Sequence, residues 1–268
     1  MSRSLSSTLV RYRSVNSFHR YVALGDSFTE GVGDPDPARP NGVRGWADRV
    51  AEHLAVDNPD FGYANLAIRG RKLKPIIAEQ LEPALALSPD LVTIHAGAND
   101  VLRPKVDIDD LMTAYDDAIA QLRASGAHAV MFTIFDPGPG GIYGPMRGRM
   151  AIFNEFVREI AETHGATLVD MWRMRDVDLA QIFDTDRMHL NSAGHQLMAI
   201  AVLDALAADH ALAPHPPVEL PVLSRREQFA EHARWTRDFL GPWIHRRVTG
   251  RSSGDGLSPK RPTLAPIE

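Results

Sequence analysis

Four short blocks of this chain hold residue types able to do nucleophilic chemistry in concert. The first is Gly25-Asp26-Ser27, which ends the apolar run Tyr21-Val22-Ala23-Leu24. An apolar run that stops in a glycine followed by small polar residues reads as a buried strand handing over to a tight turn, with the serine at its tip. In a parallel sheet, ligands bind just beyond the carboxyl ends of the strands, so Ser27 is expected at the lip of a pocket. There it can serve as a nucleophile, a helix cap or a plain turn residue. The nucleophile reading requires a base, an orienting carboxylate and donors for a developing oxyanion. Suitable side chains follow in Asn65-Leu66-Ala67-Ile68-Arg69-Gly70, in His95-Ala96-Gly97-Ala98-Asn99-Asp100 and in Asp186-Arg187-Met188-His189.

Together and in this order, the blocks resemble those of the SGNH hydrolases, also called the GDSL esterase/lipase family, over residues 21–212. Phe28 stands where the name-giving motif has leucine, beside the proposed nucleophile. The resemblance implies a serine esterase with Ser27 as nucleophile, His189 as base and Asp186 as the carboxylate that fixes the imidazole tautomer. It also implies an oxyanion hole made by the backbone N–H groups of Ser27 and Gly70 and the side chain of Asn99. The substrate would be a small-molecule acyl ester. Lipase-like, thioesterase-like and carbohydrate-deacetylase activities all occur in the family, as does acyl transfer to an acceptor other than water. A non-catalytic binding module on the same fold is the alternative of a different class, and a binding role would not need all five residues.

The elements that must position these blocks are legible as alternating strands and helices. Trp46, Val50 and Leu54 recur every four residues, one stripe of an amphipathic helix. Residues 61–68 read as a second strand. Ile76, Ile77 and Leu81 suggest a short helix stopped near Pro83. Residues 91–95 and 129–135 read as the third and fourth strands, with a helix ending at Gly126 between them. The Pro/Gly-rich residues 136–145 form no regular element and are expected to line the pocket, with Ile142 and Tyr143 at their apolar tip. A helix carrying Phe153, Val157 and Ile160, a fifth strand at 167–170 and a last helix capped by Asn191 and Ser192 complete the pattern. The expected fold is α/β: a central parallel sheet between two helical layers. The flavodoxin-like arrangement of that α/β/α sandwich comes from the resemblance.

The division expected is a flexible leader at 1–19, a hydrolase domain at 20–213, a C-terminal helical extension at 214–248 and a flexible tail at 249–268. From residue 214 onward nine Lys or Arg face six Asp or Glu, a basic segment on a chain whose net charge is −5. The overall acidity argues against nucleic acid as a partner. Cysteine is absent, which removes disulfides and thiolate chemistry. No His-Glu-x-x-His or Gly-Lys-Ser/Thr motif occurs, so neither a metal nor a cofactor is expected. Arg69, Arg71, Lys72 and Lys74 read as a solvated loop in preference to an anion-attracting rim, and His95 and His195 as packing residues. The leader lacks a secretory apolar core, which makes the expected location cytoplasmic. In the extension, a helix over 225–240, ended by Gly241-Pro242, would present Phe229, Ala233, Thr236 and Leu240 on one face, with Trp235 and Phe239 beside them. Packing back on the catalytic domain is preferred over pairing with a second subunit or lying on an anionic membrane.

Overall fold

The computed structural model describes residues 18–219 and 221–267. Its centre is a six-stranded sheet of order β5-β4-β3-β1-β2-β6. The strands are β1 (Arg20–Gly25), β2 (Gly62–Asn65), β3 (Leu91–His95), β4 (His128–Phe132), β5 (Thr167–Val169) and β6 (Arg261–Ala265). The first five are parallel, and only β6 runs antiparallel, on β2. Side chains alternate across each strand, and β1 shows the consequence. Val22 and Leu24 enter one apolar cluster while Tyr21 and Ala23 enter another on the opposite face.

Helices cover both faces. The first cluster is closed by α3 (Leu73–Ile76), α4 (Glu82–Ala86), α6 (Ile108–Ala124) and α7 (Arg147–Thr163). The second is closed by α2 (Trp46–Leu54), α8 (Leu179–Ile182) and α9 (Ser192–Ala205). Two short helices, α1 (Ser27–Glu30) and α5 (Ala98–Val101), follow β1 and β3, and the extension forms α10 (Arg225–Trp235) and α11 (Gly241–Val248). The α/β/α sandwich is therefore the observed fold. β1 and β3 are neighbours whose connections leave in opposite directions along the sheet, which opens a crevice at their carboxyl ends.

Four expectations need correction. Pro83 and Pro242 do not stop their helices. Each follows a π-helical turn, Ile77–Leu81 and Thr236–Leu240. In the second of these the Gly241 N–H reaches back to Thr236 O, a wider ring that accommodates a residue with no N–H of its own. The tail is also ordered in part: β6 pairs Tyr63 with Ala265 and Asn65 with Arg261 across a register shift. Lys260, fully buried, anchors it by reaching Asp48 Oδ1 at 2.9 Å and Arg44 O at 2.6 Å. Pro262 is tolerated because β6 is an edge strand. The leader lies outside the described residues up to 17. Phe18 and His19 belong to the domain, Phe18 being buried and the His19 N–H bonded to Asp90. Finally, the expected burial of the extension's apolar residues holds only in part. Phe229 is 78% exposed, whereas Trp235 is half-buried.

Candidate active site

β1 delivers its carboxyl end to the crevice under tight control. The buried amide of Gln80 accepts from the Gly25 N–H at 2.8 Å and donates to the Gly25 carbonyl at 2.9 Å. Asp26 then links two blocks. Its Oδ1 caps α1 by accepting from the Phe28 N–H, and its Oδ2 accepts from Asn99 Nδ2 at 2.9 Å. The turn carrying Ser27 and the turn carrying Asn99 are thus held by one carboxylate. Asn99 also donates to Arg71 O at 3.0 Å, so both of its amide hydrogens have acceptors. Asp100 accepts from the Leu73 N–H, which joins the third block to the start of α3.

The fourth block is a self-contained turn. Asp186 Oδ1 accepts the backbone N–H groups of Met188 and His189, both at 2.9 Å, while Oδ2 lies 2.5 Å from His189 Nδ1. Burial opposes ionisation of Asp186, but the imidazole and the two backbone donors outweigh it and hold the carboxyl below its ordinary range. With Nδ1 committed to a carboxylate, Nε2 is the ring nitrogen left to accept a proton. The turn sits on Gly33, whose φ is +99°. A Cβ there would fall 2.1 Å from Leu190 O and 3.3 Å from His189 Cβ, so only glycine lets the two segments approach.

Ser27, Asn99 and His189 line a common cavity of about 1190 Å³. Gly70 is not among its lining residues. Its φ is +77°, and a Cβ would point at Ser252 and Ser253 of the C-terminal segment instead of at the crevice. The loop around it is fixed by Glu30, a fully buried carboxylate that takes the Arg69 guanidinium and the Arg69 N–H. The cations bracketing Gly70 are largely engaged: Arg69 with Glu30, Arg71 with Glu79, Lys74 with Asp110. His95 is buried with its ring 4.3 Å from that of Phe28, which agrees with a packing role, although it also reaches the cavity wall. The 136–145 loop lines the cavity through Pro137 and Tyr143.

Trp235 was not legible as a site residue. Its indole N–H donates to Asp186 O at 3.0 Å. The only signal for it was an aromatic cluster in a basic segment, with nothing to indicate which turn it would meet.

The doubly covered α/β sheet brings an aspartate-bound histidine and a strand-end serine to one cavity, and the family and relatives that match the chain make it a hydrolase of ester bonds. Residues 23–197, well over half of the chain, match the model of the GDSL-like lipase/acylhydrolase family, and the chain belongs to that family. It is similar to an acetylxylan esterase of Geobacillus stearothermophilus, 26% identical over 211 residues that span 70% of this chain and 94% of that one. Among solved structures, LAE5, an alpha/beta hydrolase from the metagenome of Lake Arreo, is 25% identical with a TM-score of 0.60, over 73% of this chain and 97% of its own. The acetylxylan esterase Axe2 of G. stearothermophilus, at 22% identity and a TM-score of 0.60 over 74% of this chain and 98% of that one, shares the fold.

Proposed function

We propose that this protein hydrolyses carboxylic esters through Ser27, His189 and Asp186 by way of an acyl-enzyme. The observation that carries this reading is the Asp186–His189 pair, which leaves Nε2 as the basic nitrogen on a cavity that Ser27 also lines. Ser27 Oγ attacks the carbonyl carbon as its proton passes to His189 Nε2, and the carbonyl π electrons move onto oxygen. Collapse of the tetrahedral intermediate breaks the bond to the alcohol, which leaves with the proton from Nε2. Water then attacks the acyl-enzyme and gives a proton to Nε2. The acid is released as Ser27 Oγ recovers that proton.

Asp186 keeps the imidazole in the tautomer that accepts at Nε2 and stabilises the imidazolium as it forms. The oxyanion would be met by the backbone N–H of Ser27 and by Asn99, while Gly70, expected as a third donor, does not line this cavity. Since each Asn99 hydrogen already has an acceptor, donation to the oxyanion requires the bond to Arg71 O to be shared or released. The similarity to an acetylxylan esterase makes removal of acetyl groups from a carbohydrate the second reading. Ser27→Ala should lower kcat by ~10⁴-fold or more toward p-nitrophenyl esters while leaving thermal unfolding unchanged. Full activity in that variant would refute the assignment.

A further inference from the structure

The cavity is walled in part by a segment outside the family match, which ends at residue 197. Leu223, Trp235 and Phe239 of the extension face Phe135, Met171 and Phe183 of the domain across it. The extension is held at three places. The Gln181 amide exchanges hydrogen bonds with the Val218 backbone at 2.8 and 2.9 Å. Glu231 pairs with Arg187 at 2.9 Å, and the Arg187 guanidinium lies 5.1 Å from the Trp235 ring centroid. The Trp235 indole bonds to the Asp186 carbonyl. Two of these three anchors are on the turn that carries His189, so the aromatic wall is placed beside that histidine.

An acetyl group would leave most of a cavity of about 1190 Å³ unfilled. A second cavity of about 360 Å³ adjoins it, lined by His189, Trp235 and Phe239 on its shared side and by Ile142, Leu240 and Trp243 beyond. Burying apolar surface in such a space favours a long hydrocarbon group over a short one.

We infer that the C-terminal extension sets specificity, and that Trp235 and Phe239 make the site select esters bearing a long apolar chain. This rests on the ester-hydrolase reading above. The apolar chain can belong to the acid or to the alcohol, and the two are distinguishable by substrate design.

The test uses the full chain with p-nitrophenyl acetate, butyrate and octanoate, and with ethyl and octyl acetate. Each methylene that becomes buried should raise kcat/KM about fourfold, so burial of even three or four of the six methylenes that separate octanoate from acetate should favour octanoate by ~100-fold. A rise in the p-nitrophenyl series places the chain on the acid side; a kcat/KM that rises from ethyl acetate to octyl acetate places it on the alcohol side. Phe239→Ala, at a position 38% exposed and therefore compatible with folding, should cut the octanoate-to-acetate ratio about tenfold, mainly through KM. A wild-type enzyme that prefers the shorter ester in both series, or a ratio unchanged in Phe239→Ala, would overturn the inference and leave ester hydrolysis standing. Failure to turn over any of these esters would overturn both.

Discussion

At the scale of single residues, Asn99 is the most exacting element of the mechanism. It is tied to Asp26 and to Arg71 O before any substrate arrives, and its bond to Arg71 O must be shared or released for it to meet the oxyanion. Such a donor acts on charge that develops in the transition state and not on the neutral carbonyl. Asn99→Ala should therefore reduce kcat by ~10²-fold with KM little altered, as steady-state kinetics on one activated ester would show. The residue types of the site and their order were legible because each sits at a strand end or a helix start, where sequence punctuation is strong. Gln80 and Glu30 were not legible. Both are buried polar groups whose partners lie 55 and 39 positions away along the chain, and nothing local reports such a contact.

At the scale of elements, α2 and α9 are pinned together behind the site by His195. The Trp46 N–H donates to His195 Nδ1 at 3.1 Å, and Nε2 lies 3.2 Å from Val32 O. Nδ1 accepts and Nε2 donates, so the ring is neutral, and burial lowers its pKa from 6.5 to about 4. Between these values the unfolded chain binds a proton that the folded one refuses. His195's contribution to stability should be intact above pH ~6.5 and decline by up to ~3 kcal/mol as the pH falls toward 4. Urea titrations across that range should show the decline, and His195→Gln should flatten it. The positions and order of strands and helices followed from hydrophobic periodicity. Periodicity did not report the two π-helical turns, because a proline looks the same whether the turn before it ends the helix or widens.

At the scale of the whole molecule, the C-terminal part returns to the catalytic domain twice: as a wall over the active site and as an edge strand. The second return depends on Lys260. Burial pushes its pKa down and that of Asp48 up, against the mutual attraction that keeps the pair together. Lys260→Ala strands a buried carboxylate and should cost about 3–5 kcal/mol in denaturant unfolding. Removal of residues 249–268 should cost at least as much, because β6 goes with it. This strand escaped the sequence reading since five residues containing a proline, Arg261–Ala265, read as tail by composition. Catalysis by this chain rests on one covalent event, acylation of Ser27, and mass spectrometry of the full chain after treatment with a fluorophosphonate tests it most directly. A single adduct on the peptide containing Ser27, lost in Ser27→Ala, is the result expected. An adduct on another residue, or one that survives in Ser27→Ala, would contradict it.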